Sequence, residues 1–427
     1  MKTVFYYGFV LGRNPAIGAT EIYVRLKNTI VELALVSPRL IVLGLSEELA
    51  NPAQAINRLY GTVKIVELPN GMVPNSDYRG LKIDVALFLR LIPKQIHRIT
   101  FGFSIYNIDA PQPRYDEIRK NLIPLAYKLK KELKIAGYNA NFLGLKVGEV
   151  TTNTINDKQM IGKGVDFAVI IINGNIIIGK TVAIQNTEDY ERRNYHRPFR
   201  NLRSGTMPIK LARSMIALAE APLDSMVVDP FCGSGTIITE LILMGFTNIV
   251  GSDNDPNAIK ETGANIQWLF DNYPEIREKQ ILLKVGINDA VLVSDQFKTK
   301  NIRAIISEPY LGPIFKTNPS KETVNQLFVY LADLYLRFFK SANKCLKTDA
   351  KIVFIFPVIP VNNQFMYLDI LDDIEIAGFK PVMPLPLEWC ESYPYEITNR
   401  NSFLVKKEGQ ILIRELFVFE KTGELSH

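Results

Sequence analysis

The run Val227-Val228-Asp229-Pro230-Phe231-Cys232-Gly233-Ser234-Gly235-Thr236 constrains the fold more than any other stretch of the chain. In it a β-branched strand breaks into two glycines and re-emerges as an apolar helix-like segment over 236–244. A strand that turns directly into a helix through glycines is a βα unit, because such a tight turn needs the positive φ that glycine tolerates. The rhythm around it agrees. The spacing predicts helices over 210–220, 257–270, 323–346 and 369–377, and strands over 225–228, 248–251, 280–285, 302–306 and 351–357. Repeated βα units make a parallel, doubly wound sheet. Two closing strands, 401–407 and 410–419 around Glu408-Gly409, predict a hairpin that adds an antiparallel edge.

The ends of these strands carry the chemistry. The glycine turn is not a P-loop, since no Gly-Lys-Ser/Thr follows, and Ile238 stands where a dinucleotide fingerprint needs its third glycine. Asp229 ahead of the glycines would repel a pyrophosphate and suits a cationic ligand, which S-adenosylmethionine is. Asp253, in Gly251-Ser252-Asp253-Asn254-Asp255, ends the next strand, where a carboxylate accepts both ribose hydroxyls of an adenosine. Asn288-Asp289-Ala290 ends the third strand, within reach of an adenine amine, and Ser307-Glu308-Pro309-Tyr310 ends the fourth. Each segment alone is an ordinary turn. Their common place at the carboxyl ends of consecutive strands is where open α/β sheets bind ligands.

The first half of the chain has a different character. Residues 1–200 carry 27 Lys and Arg against 17 Asp and Glu, and residues 201–427 carry 23 against 27. A basic half beside a mildly acidic one suits a polyanion-holding module joined to a chemical one, and equally suits solvated surface charge. Strands over 3–11, 39–45 and 61–68, a helix over 19–27 and a second helix capped at Ser46-Glu47-Glu48 and running toward Tyr60 predict an α+β unit. After turns at 69–71 and 74–76 come a strand over 99–106 and a long helix over 115–136. That helix bears Arg119, Lys120, Lys128, Lys130, Lys131 and Lys134. Strands over 141–145, 167–172 and 175–185 follow, the last two as a hairpin across Asn173-Gly174. The lysine-laden helix fits an RNA platform or a solvated face.

A hydrophobic share of 47% with 22% charged residues excludes a disordered chain. The longest apolar runs, 167–172 and 352–361, fall well short of the ~18 residues that cross a bilayer, and no metal-ligand spacing involves the 3 His or 3 Cys. The opening residues lack a signal cleavage site, and so few cysteines fit a reducing compartment. A cytoplasmic protein without a metal is expected.

Taken together, the four strand ends resemble class I S-adenosylmethionine-dependent methyltransferases that act on base amino groups, whose fourth motif reads Asp/Asn/Ser-Pro-Pro-Tyr/Phe/Trp. The stretch Ala183-Ile184-Gln185, Tyr190, Arg193-Asn194, Arg197-Pro198 and Met207-Pro208-Ile209-Lys210-Leu211-Ala212, with the opening Leu11-Gly12-Arg13-Asn14-Pro15, is similar to the THUMP-domain tRNA guanine-N2-methyltransferase family. The resemblance implies a Rossmann-like methyltransferase domain over 189–427, with the terminal hairpin. It also implies an N-terminal α+β, ferredoxin-like module over 1–70 and a THUMP-like RNA-binding module over 71–188. It implies S-adenosyl-L-methionine as cofactor and tRNA or another structured RNA as partner, and leaves a small activating subunit open.

Under that resemblance the cofactor-binding residues are Asp229, Phe231, Gly233, Gly235, Thr236, Asp253, Asn254 and Asp289, and the catalytic ones Ser307, Glu308, Pro309 and Tyr310. Tyr310 is expected to stack on the flipped target base. Two departures stand out: Arg193-Asn194 where the family has Arg-Asp, and Ser307-Glu308 where it has Asp-Pro. Glu308 either turns inward to replace the missing carboxylate or faces solvent. A DNA adenine-N6 or cytosine-N4 methylase and an inactive RNA-binding protein remain as alternatives.

Overall fold

A computed structural model of the chain describes residues 3–69, 91–92, 98–144, 148–172, 175–200, 207–297, 301–393 and 396–422. The chain divides into two compact units, Met1–Thr187 and Glu188–His427. No helix among the described residues is long and apolar enough to cross a membrane.

The first unit runs β1 (Phe5–Leu11), α1 (Pro15–Leu26), β2 (Ile30–Val36), β3 (Leu40–Leu45), α2 (Pro52–Ile56), β4 (Thr62–Leu68), β5 (Arg98–Asn107), α3 (Gln112–Ile135), β6 (Asn139–Phe142), α4 (Thr152–Asp157), β7 (Gly164–Ile172) and β8 (Asn175–Ile184). All eight strands form one sheet in the order β2-β3-β1-β4-β8-β7-β5-β6. The segments expected as modules 1–70 and 71–188 therefore share a sheet, joined where β4 pairs antiparallel with β8. On α3 the buried stripe Ile118, Leu122, Ala126, Leu129 and Leu133 packs on Phe101, Phe103 and Phe167, while Lys120, Lys128, Lys131 and Lys134 are exposed.

Two local expectations fail here for identifiable reasons. The helix expected from Ser46 is only α2, because Pro52 has no N–H to donate and its ring clashes with a preceding helical carbonyl, so a helix can begin at Pro52 but not pass through it. Asn51, not Ser46, is the cap, its side chain accepting from Gln54 N at 3.0 Å. Strand β2 was not expected, and its pairing with β3 shifts register twice, which erases the alternation that would reveal it. The expected turns at 70–71, 74–76 and 173–174 lie outside the described residues.

The second unit runs α5 (Thr187–Tyr195), α6 (Ile209–Leu218), β9 (Met226–Asp229), α7 (Thr236–Met244), β10 (Asn248–Asp253), α8 (Pro256–Asn272), β11 (Leu282–Ile287), β12 (Ile302–Ser307), α9 (Lys321–Cys345), β13 (Leu346–Val361), β14 (Gln364–Tyr367), α10 (Leu371–Ile376), β15 (Phe379–Pro381), β16 (Ser402–Val405) and β17 (Ile413–Lys421). Its sheet has the order β11-β10-β9-β12-β13-β17-β15. Strands β11 through β13 are mutually parallel, and β17 runs antiparallel to β13. The expected hairpin forms as β16 and β17, with Ser402 opposite Phe417. It is not an outer edge, because β17 is inserted between β13 and β15.

Helix α9 supplies much of the core. Phe338 stacks on Phe354 of β13 at 5.1 Å, and Phe231 of the glycine turn meets Phe338 edge-on at 5.5 Å. Aromatic burial of this kind contributes roughly 1.5–3 kcal/mol per ring, so the turn is anchored to the core through Phe231.

Candidate active site

Strand β9 ends at Asp229, and the chain turns through Gly233 and Gly235, with φ of 52° and 78°, before α7 begins at Thr236. Gly235 is required twice over: a Cβ there would lie 2.7 Å from Thr262 of α8. Helix α8 holds the turn from behind. Thr262 Oγ1 donates to Gly233 O at 2.7 Å, and Asn265 Nδ2 donates to Ser234 O at 2.7 Å. Both side chains are buried polar groups on the inner face of an amphipathic helix, which is the signal in the sequence that marks them.

The other strand ends close around this turn. Asp253, ending β10, accepts Gly233 N on Oδ2 at 2.9 Å and Asp255 N on Oδ1 at 3.0 Å. Asp289, after β11, accepts Val291 N at 3.1 Å. Ser307, ending β12, is fully buried and donates to Asp229 Oδ1 at 2.5 Å, while Phe231 N donates to the same oxygen at 3.3 Å. Burial pushes the Asp229 carboxyl up to about 7, opposed by the Ser307 and Phe231 hydrogen bonds and helped by the charges of Asp253 and Glu308.

Between these ends lies a cleft of about 680 Å³. Of the residues expected from sequence it is lined by Asp229, Phe231, Gly233, Thr236, Asp253, Asn254, Asp289, Glu308, Pro309 and Tyr310. Two expected residues do not line it: Ser307 is turned onto Asp229, and Gly235 is packed on Thr262. Glu308 does not face solvent: its side chain lines the cleft. Its Oε1 accepts Arg414 Nε at 2.5 Å, so the carboxylate sits at the cleft wall in an ion pair.

Helix α9 adds Leu327, Tyr330 and Leu334 to the lining, none of them expected. The Tyr310 and Tyr330 rings meet edge-to-face at 6.3 Å, and Tyr335 Oη donates to Tyr310 O at 2.7 Å. Tyr310 remains 44% exposed, which leaves its ring available to a partner.

The segment ahead of β9 fastens to α7 through buried charge. Arg193 pairs with Glu240 and with Asp189 at 3.0 Å, Arg213 pairs with the same Glu240 at 3.0 Å, and Arg197 Nη1 donates to Thr236 Oγ1 at 2.8 Å. Cys232 is buried, and its thiol is pushed up by burial and by the nearby Asp229 and Asp253, the wrong direction for a nucleophile.

The cleft suits S-adenosylmethionine in size and in charge. Its volume falls in the usual range for small-ligand sites, and Asp229, Asp253, Asp289 and Glu308 give it an acidic lining that favours a cation. Asp253 would hold the ribose and Asp289 the adenine edge.

Residues 196–369 match the family described as RMKL-like, methyltransferase domain. The chain is 35% identical over 99 residues to a tRNA (guanine(10)-N2)-dimethyltransferase of Methanothermobacter thermautotrophicus, covering 23% of this chain and 29% of that one. It is 24% identical over 226 residues to the protein of the same description from Methanocaldococcus jannaschii, covering 52% of this chain and 62% of that one. The matched segments thus span less than two thirds of either relative. Among solved structures, TrmN from Thermus thermophilus superposes with a TM-score of 0.52 at 14% identity, over 98% of this chain and 99% of that one. That likeness is one of fold, and it accords with the Rossmann-like methyltransferase sheet.

Proposed function

We propose that this chain, whose residues 196–369 match the RMKL-like methyltransferase domain, is a tRNA guanine-N2-methyltransferase that uses S-adenosylmethionine. The observation that carries the reading is the convergence of the glycine turn, Asp253, Asp289 and Glu308-Pro309-Tyr310 on one cleft. Curated relatives described as tRNA (guanine(10)-N2)-dimethyltransferases support tRNA over DNA as the substrate. The 1–70 and 71–188 segments are read as ferredoxin-like and THUMP-like modules that hold RNA by shape and phosphates, consistent with the excess of Lys and Arg before residue 200. A cytoplasmic setting goes with that substrate.

S-adenosylmethionine, when bound, supplies an electrophilic methyl group on a cationic sulfur. Asp253 takes the ribose hydroxyls, Asp289 the adenine amine, and Asp229 with its neighbouring acids favours the positive charge. Tyr310 stacks on the base once it is turned out of its helix. A guanine amine is a weak nucleophile because its lone pair is delocalised into the ring. A side-chain oxygen that accepts its N–H favours the tetrahedral nitrogen, and Glu308 is the acceptor at the cleft wall.

Mass spectrometry of nucleosides from tRNA incubated with the full chain and S-adenosylmethionine tests this reading. N2-methylated guanosine is the expected product. Methylated adenine or cytosine in DNA would favour the DNA methylase, and cofactor binding without transfer to any tRNA would favour an inactive RNA-binding protein.

A further inference from the structure

Position 308 combines two features that a plain catalytic loop would not need. It precedes Pro309, which confines its backbone to extended conformations, and its carboxylate is gripped from a strand 106 residues away. The gripping residue, Arg414, is 3% exposed at its side chain and Glu308 14%, so the bond between them is largely screened from water. Arg414 is also mounted rigidly. Its backbone lies on β17 between Pro357 of β13 and Val405 of β16, and its Nη1 donates to Gln410 Oε1 at 3.0 Å.

Among the described residues only one oxygen of Glu308 is engaged. Oε1 takes Arg414 Nε, and among the described residues Oε2 takes no hydrogen bond, although the side chain lines the cleft. Ser307, meanwhile, is fully buried, turned onto Asp229, and does not line the cleft. The acceptor left at the fourth strand end is therefore Glu308 Oε2, held in place by a cation with no other carboxylate partner among the described residues.

We propose that Arg414 is a positioning residue of this active site, fixing Glu308 through Oε1 so that Oε2 accepts the N–H of the target amine. The proposal rests on the methyltransferase reading above. It explains how Glu can stand where the resembling family has proline: the stiffness a pyrrolidine ring gives the loop is supplied from β17 by an ion pair. The arginine neutralises the carboxylate enough for it to sit beside three aspartates. It leaves free the lone pairs that the amine needs.

The experiment is a double-mutant cycle on the full chain: Arg414→Met, Glu308→Gln and both together, with Arg414→Lys as the conservative variant. Single-turnover transfer to tRNA, tRNA KM, calorimetric affinity for S-adenosylhomocysteine and melting temperature are read for each. The expected result is a fall of about 10²-fold in transfer rate for each single variant. The double variant should be no slower than Glu308→Gln, because Arg414 acts through Glu308. KM and cofactor-product affinity should stay within about twofold, and Arg414→Lys should recover most of the rate. Multiplicative losses in the double variant, or a loss confined to melting temperature or to KM, would overturn the positioning role with the methyltransferase reading intact. Wild-type protein that transfers to no tRNA would overturn both.

Discussion

Two buried aspartates, one in each unit, answer the same physical problem in opposite ways. Asp166 on β7 accepts Ser104 Oγ on both oxygens at 2.7 and 2.9 Å and Thr181 Oγ1 at 2.7 Å, with Lys64 Nζ 3.5 Å away. Lys64 in turn meets Ser104 and Glu149 at 3.1 and 3.0 Å. Asp229 on β9 is as deeply buried, but among the described residues its hydrogen bonds fall on Oδ1 and no cation pairs with it. Burial is the leading cause that raises both carboxyls; at Asp166 Lys64, Thr181 and Ser104 oppose it. A saturated carboxylate serves the fold, tying β4, β5, β7 and β8 together. An unsaturated one that lines a cleft costs stability, as expected of a group proposed to bind a ligand.

Breaking the saturated cluster should have the largest effect. Lys64→Met leaves Asp166 without its cation, and removing one partner of a buried pair costs about 3–5 kcal/mol. Urea unfolding should show that loss, while affinity for S-adenosylhomocysteine stays unchanged because every cleft residue belongs to the second unit. A cost below about 1 kcal/mol would mean that the cluster is wetter than its burial implies.

The same operation on Asp229 should go the other way. With its carboxyl raised to about 7, the folded protein holds a proton between about pH 4 and 7 that the unfolded chain releases. Stability is therefore full below pH 4 and falls as pH rises through 7. Asp229→Asn keeps an acceptor for Ser307 and Phe231 and removes that loss, so at pH 8 it should stabilise by about 2–4 kcal/mol, three pKa units being worth about 4. At pH 4 the gain should vanish, and cofactor affinity should drop most at pH 8, where the wild-type carboxylate is ionised. A melting-temperature difference that is flat from pH 4 to 8 would remove Asp229 from the ionising groups.

What the sequence made legible follows from range. The glycine turn, Asp253, Asp289 and Glu308-Pro309-Tyr310 are each local: a strand end, a turn and a helix start written in consecutive residues, so they can be read without the fold. Arg414 and Tyr330 reach the same site only through packing of α9 and β17, and no spacing in the chain announces that approach. The side-chain direction of Ser307 was equally unreadable, because its choice of Asp229 depends on the lateral order of β9 and β12 in the sheet. In the first unit Pro52 marks its helix start locally, whereas the bulged β2 hides its own pattern.

A smaller effect is expected at Asp253, which is partly saturated by the protein itself through Gly233 N and Asp255 N. Asp253→Ala removes the acceptor for the ribose hydroxyls and should weaken S-adenosylhomocysteine binding by about 1–3 kcal/mol. Calorimetry on the folded variant checks it, and unchanged affinity would take Asp253 out of the cofactor site. Because Asp253 accepts Gly233 N and Asp255 N on separate oxygens and Asn offers one, part of the defect should persist in Asp253→Asn.

The smallest expected effect is at Tyr330, where the contrast between saturated and unsaturated groups passes from charge to aromatic surface. Tyr310 is tied to the fold by its backbone carbonyl, through Tyr335 Oη, and its ring meets that of Tyr330 edge-to-face. An aromatic pair of this geometry is worth about 0.5–1.5 kcal/mol. Tyr330→Ala should therefore raise the tRNA KM by about 2- to 10-fold with cofactor affinity unchanged, since Tyr310 keeps its stacking face and loses only its alignment. Tyr330→Phe should match wild type, because the ring and not the hydroxyl makes the contact. If Tyr330→Ala instead abolishes binding, Tyr330 is itself a wall of the base pocket. If it leaves KM untouched, the backbone anchor alone holds Tyr310 in register for the incoming base.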